Sequence, residues 1–124
     1  MKRFLIALTS FICLILPTFA GIYEDAIRDN KKVVLYFYTQ SCGYCKKFDP
    51  IYNKLLADFS KKCKFVKINA DSYYGRNLSK FFGLRFVPYV VLVEQNIDTG
   101  IVIAPSCLLQ YSCSSNVIDN FVKR

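Results

Sequence analysis

Histidine is absent from this 124-residue chain. A Cys-x-x-Cys pair is present once, with no second such pair, so a zinc centre could be completed only at unusual spacing. No apolar run reaches the roughly 20 residues that an ordinary transmembrane helix needs. Repeats and low-complexity tracts are missing, and so is any nucleic-acid-binding motif, so no nucleic-acid partner is expected. Acidic residues are scarce, 9 against 17 basic ones, for a net charge of +8. The basic residues are scattered as Lys31-Lys32, Lys46-Lys47, Lys61-Lys62, Lys64 and Lys67, without a long block. This pattern reads as a solvated lysine surface, the alternative being attraction to acidic partners or an anionic membrane surface.

What is there begins with an export pattern. Lys2 and Arg3 precede an almost wholly apolar run from Phe4 to Leu16, and Thr18-Phe19-Ala20 sets small residues ahead of Gly21. A signal peptide over 1–20 and one domain over 21–124 are expected, with a periplasmic or secreted location. Cleavage would leave no stable membrane insertion; an uncleaved signal anchor is the alternative. No cysteine follows the run, so no lipid anchor is expected. Cys13 leaves with the segment, and Cys42, Cys45, Cys63, Cys107 and Cys113 remain. In an oxidising compartment an odd count leaves at least one thiol free or paired with another molecule.

Hydrophobic periodicity orders the domain as alternating helices and strands. Gly21–Asn30 carries Ile22, Tyr23, Ala26 and Ile27 on one helical face. Val33–Tyr38 is a continuous β-branched and aromatic run, as a strand covered on both faces requires. A helix from Cys42 to Ser60 follows, with Phe48, Ile51, Tyr52, Leu55, Leu56 and Phe59 as its apolar stripe and Pro50 expected to kink it. Cys63–Asn69 reads as a second strand, parallel to the first through a right-handed crossover. Asp71–Phe82 reads as a helix with Tyr74, Leu78, Phe81 and Phe82 inward and Gly83 after its end. Tyr89–Glu94 and Ile101–Ala104 form a hairpin around a Gln95–Gly100 turn. Pro105–Ser114 is read as a loop, and Ser115–Lys123 as a closing helix capped by Ser114 or Ser115.

The chemistry concentrates in Cys42-Gly43-Tyr44-Cys45, at a strand-to-helix junction. At a helix N-terminus, unpaired N–H groups and the helix dipole favour an anion, so the Cys42 thiolate is stabilised. Lys46 and Lys47 add positive charge. Cys45 lies one helical turn on, within reach of a disulfide, and Gly43 and Tyr44 keep the loop tight. Redox chemistry is the expected role. A zinc site completed by Cys107 and Cys113, or a purely structural disulfide, are the alternatives. Cys63 reads as a buried small hydrophobe.

From Ile22 to Val122 the chain resembles the thioredoxin-fold family. The features that carry this are the strand before Cys42, the Cys-Gly-Tyr-Cys motif, Pro50 and Val87-Pro88 before a hairpin. The resemblance implies a three-layer α/β/α sandwich around a mixed sheet of about four strands. It implies a cis peptide bond at Pro88, facing the cysteines, and it places Lys67 near the site or on a solvent-facing strand position. Gly-Tyr between the cysteines is similar to the dipeptide of periplasmic disulfide isomerases. Tyr36 stands where cytoplasmic thioredoxins carry a buried acid. The segment with Cys107 and Cys113 has no counterpart in a minimal thioredoxin; a local structural disulfide between them is expected, a second redox pair being the alternative.

The function implied is that of a thiol:disulfide oxidoreductase with Cys42 as nucleophile and Cys45 as resolving thiol. Tyr44, Val87 and Pro88 would bind substrate, with Gly43 and Lys67 in support. Expected partners are protein thiols or disulfides and an electron donor or acceptor. No cofactor or metal is needed, and a monomer is expected. A lone small domain offers an isomerase no clamp, so the reductive direction is favoured. A non-catalytic binding or assembly module with structural disulfides, or a metal-carrying module, are the rivals.

Overall fold

The computed structural model describes residues 21–94, 97–102 and 109–123, with backbone alone for 97–102. The expected signal peptide and Cys107 lie outside the described residues. The elements are α1 (Ile22–Asp29), β1 (Lys32–Tyr38), α2 (Gly43–Phe59), β2 (Lys64–Asn69), α3 (Tyr73–Phe82), β3 (Tyr89–Glu94), β4 (Ile97–Val102) and α4 (Tyr111–Lys123).

The four strands form one sheet in the order β2-β1-β3-β4. β1 runs parallel to β2 and antiparallel to β3. Alternation along β1 divides the core. Val34 and Tyr36 face one layer with Phe48, Tyr52, Leu55 and Ile118. Val33, Leu35 and Phe37 face the other with Ala26, Val66 and Leu78. Helices α2 and α4 therefore cover one face of the sheet and α1 and α3 the other, which is the expected three-layer sandwich. Each large side chain buried this way contributes about 1.5–3 kcal/mol. Tyr74 ties α1 to α3: its hydroxyl accepts from the Tyr23 N–H at 2.9 Å and donates to Glu24 at 2.7 Å.

Pro50 sits within α2, where it leaves the Lys46 carbonyl without its usual donor. Helix α3 starts later than expected because Ser72 caps it, its hydroxyl accepting from Gly75 N–H at 2.9 Å. Gly83 ends the helix at φ 69°, the left-handed conformation that suits glycine. Phe81 is 68% exposed rather than inward, and packs edge-on to half-buried Phe82. Tyr74, Leu78 and Phe82 recur every four residues and take the inner face, leaving Phe81 on its flank.

Two boundaries differ for tertiary reasons. Strand β4 begins at Ile97, directly opposite Glu94, so the Asp98-Thr99-Gly100 stretch is strand rather than turn. An edge strand tolerates such polar residues, and a register shift between Leu92 and Glu94 absorbs the misfit. Helix α4 begins at Tyr111, so Cys113 and Ser114 lie in its first turn instead of in a loop, and Ser114 is buried rather than capping. Tyr111 anchors that turn: its hydroxyl donates to the Asp58 carboxylate of α2, and Lys54 lies 4.8 Å from its ring centre.

Candidate active site

Strand β1 ends at Tyr38, and the chain turns once before α2 begins, with Cys42 as N-cap. The Cys45 N–H donates to Cys42 Sγ at 3.1 Å, so the sulfur takes the place a serine or aspartate oxygen usually fills. A backbone donor aimed at this sulfur, together with the helix dipole, lowers the cost of a negative charge on it. Cys42 and Cys45 are joined in a disulfide, with Cα atoms 5.2 Å apart. The two sulfurs differ in access. Cys42 is half-buried and Cys45 is only 2% exposed, so an incoming group meets Cys42 first.

The rim is built from exposed groups. Tyr44 is 62% exposed, and Lys47 lies 5.3 Å from its ring centre. A Cβ on Gly43 would meet nothing within 4 Å, so space rather than a packed neighbour lies over the motif. The Val87–Pro88 peptide is cis, Pro88 is buried and Val87 is half-buried. Sheet register brings this bond to the motif's end of the sheet: Tyr89 pairs with Phe37, so Pro88 enters β3 where β1 hands over to Cys42.

Behind the disulfide lies a polar cluster that sequence reasoning resolved only in part. Lys67, opposite Tyr36 in the β1–β2 register, holds Asp49 at 3.5 Å and lies 4.6 Å from the Tyr38 ring centre. The Tyr36 hydroxyl donates to Asp49 at 2.9 Å and lies 3.2 Å from the Cys45 carbonyl oxygen. Burial, then the Asp49 carboxylate, pushes the Tyr36 phenol well above its ordinary range, which keeps it a neutral donor. Asp49 and Phe86 were not singled out from the sequence. The signal for Asp49 was its position four residues after Cys45 on one helix; Phe86 carried none beyond preceding Val87-Pro88.

Cys63 is a free, buried thiol, pushed up to about 11 by burial. Cys113 is disulfide-bonded. Its expected partner, Cys107, lies outside the described residues, and so does the expected pairing.

Known proteins repeat this architecture. The thioredoxin family model matches residues 15–105. The chain is 26% identical to a thioredoxin of Pyropia yezoensis over 74% of its own length and 86% of the relative's. It is 38% identical to the chloroplastic thioredoxin M4 of Arabidopsis thaliana over 55% of its own length, and there spans only about a third (34%) of the relative. The germline-specific thioredoxin Deadhead of Drosophila melanogaster superposes with a TM-score of 0.66 at 26% identity, over 79% of this chain and 90% of that one. The J-Trx1 fragment of ERdj5 superposes with a TM-score of 0.70 over 81% of this chain and 46% of that one; at 12% identity it speaks for the fold alone. A matching family model over most of the chain, this fold and the capped Cys42–Cys45 disulfide together show that the chain belongs to the thioredoxin family, with the dithiol pair of a thiol–disulfide oxidoreductase.

Proposed function

We propose that this chain is an exported thiol–disulfide oxidoreductase that reduces protein disulfides, acting as a monomer. One observation carries the reading: a half-buried sulfur caps a helix and is bonded to a buried partner one turn on. In the reduced chain the Cys42 thiolate attacks a substrate disulfide. One substrate sulfur leaves as a thiolate and takes a proton, and the other stays bonded to Cys42. Cys45 then gives up its proton and attacks Cys42 Sγ, which releases the second substrate thiol and forms the Cys42–Cys45 disulfide. Two electrons pass from the chain to the substrate, and an external dithiol donor restores the reduced pair. Val87 and Pro88 lead into β3 at the end of the sheet where β1 leads to Cys42, which supports the addition of an extended substrate segment along Val87 as a strand. Export is supported by the Lys2-Arg3 pair, the Phe4–Leu16 run and Thr18-Phe19-Ala20.

The test is capture. A Cys45→Ala chain expressed with its N-terminal segment accumulates mixed disulfides on Cys42, recoverable from the extracytoplasmic fraction and lost in Cys42→Ser. Mixed disulfides confined to the cytoplasm overturn export. None at all, with binding unaffected by serine at both positions, favours a non-catalytic module. Equilibration with glutathione buffers fixes direction, a strongly reducing midpoint being expected.

A further inference from the structure

A shallow cavity of about 250 Å³ opens between α3 and the loop that leads into β3, ending at Val87. Arg76 and Lys80 line it from α3; Leu84, Arg85 and Phe86 line it from the loop. No carboxylate is among its lining residues. Some cations elsewhere are paired, Arg28 with Asp25, Lys54 with Asp58, Lys67 with Asp49 and Lys123 with Asp119, whereas Lys31, Lys46, Lys47, Lys61, Lys62 and Lys64 have no ion pair among the described residues. Among the described residues no carboxylate pairs with Arg76, Lys80 or Arg85, and all three are exposed. Phe86 is 49% exposed, and its ring is held edge-on to Tyr89 with centres 5.2 Å apart. A fixed, open aromatic face therefore stands next to three unpaired positive charges, one residue from Val87.

We propose that this cavity is a specificity site, and that it selects protein substrates whose reactive cysteine is flanked by acidic and apolar side chains. The proposal rests on the disulfide-exchange reading of Cys42–Cys45 and adds the substrate class to it. A segment laid along Val87 to present its sulfur to Cys42 runs its flanking residues over the cavity. Carboxylates there meet guanidinium forks that bind them in bidentate fashion. Unpaired like charges in a concave surface also raise the encounter rate with ligands of opposite sign. Phe86 offers the apolar flank a surface to cover.

The test uses the full chain in its dithiol form. Its substrates are three synthetic peptides, each with one cysteine held in a mixed disulfide with a chromogenic thiol. The flanks carry Phe with Glu, Gln or Lys. Attack by Cys42 on the peptide sulfur expels the chromogenic thiolate, and Cys45 then displaces the peptide as a thiol. The Glu peptide should react on the order of 10-fold faster than the Gln peptide at low salt, and the Lys peptide slower still, with the differences shrinking at high salt. Arg76→Gln, Lys80→Gln and Arg85→Gln together should bring the three peptides within about twofold while the Gln peptide keeps its rate. Equal rates for Glu and Lys peptides on the unmodified chain, or a preference indifferent to salt, overturn the specificity site and leave the exchange reading standing. A chain that reduces neither the peptides nor hydroxyethyl disulfide, a small uncharged probe, overturns both.

Discussion

The Tyr36 hydroxyl, on the central strand, donates to the Asp49 carboxylate on α2 across 2.9 Å. The same oxygen lies 3.2 Å from the Cys45 carbonyl. One phenol thus ties the first turns of the active-site helix to the strand that delivers Cys42. Its ring also packs against Phe48 and Tyr52, with centres 4.8 and 4.9 Å away.

Tyr36→Phe keeps the ring contacts and removes only the hydroxyl. The chain should lose about 1–2 kcal/mol, a range set by a hydrogen bond to a partly exposed charged group. Urea unfolding measures it. Lys67→Met removes the 3.5 Å contact to Asp49 between two half-exposed side chains, and should cost under about 1 kcal/mol. A larger loss for Lys67→Met than for Tyr36→Phe would show that the ion pair, not the phenol, holds the helix.

Cys63 sets an alkaline limit on stability. Burial raises its folded-state value to about 11, from an ordinary value of 9.0. A folded state that holds a proton more tightly than the unfolded one is favoured fully below pH 9 and loses that advantage as pH climbs towards 11. Stability should therefore fall by on the order of 2 kcal/mol over that window. Cys63→Val should flatten this part of the profile, measured by denaturant midpoints at stepped pH. Buried Tyr52, raised to about 12 by desolvation, acts in the same direction at higher pH and stays in the variant.

Two glycines should respond in opposite ways. A Cβ at Gly75 would fall 1.9 Å from the Asn69 carbonyl oxygen, a backbone atom that cannot swing aside. Gly75→Ala should destabilise by about 1–3 kcal/mol, the usual cost of overpacking. Gly43 has open space around it and begins α2, so Gly43→Ala should be neutral or stabilising by up to about 1 kcal/mol. Thermal midpoints of both variants, compared with the unmodified chain, decide this.

Tyr111→Phe removes the hydroxyl that reaches Asp58 and leaves the ring beside Lys54. The first turn of α4 should fray, seen as faster amide hydrogen exchange at Cys113 and Ser114, with a global loss of about 1 kcal/mol. Unchanged exchange there would mean that the turn is held by other contacts.

Much of the architecture was legible because local pattern carried it. The Val33–Tyr38 run could only be a strand covered on both faces, and the stripe from Phe48 to Phe59 could only be one helical face. Gly83 after α3 followed from its freedom at positive φ. The reading failed where a contact distant in sequence outweighed the local signal. Asp98-Thr99-Gly100 has turn composition, yet it is strand because its neighbours Ile97 and Ile101 pair with β3. Ser114 and Ser115 have cap composition, yet Tyr111 reaching Asp58 starts the helix earlier.

The site divides along the same line. The sequence alone determined that a sulfur would cap α2 with a second sulfur one turn behind it, since capping and helical rise depend only on neighbours in the chain. Tertiary structure decided the rest: that Pro88 enters β3 at the end of the sheet where β1 leads to Cys42, that Tyr36 finds Asp49, and that Arg76, Lys80, Arg85 and Phe86 share one hollow. Those relations join residues far apart in the chain, and only strand register and packing between layers bring them together.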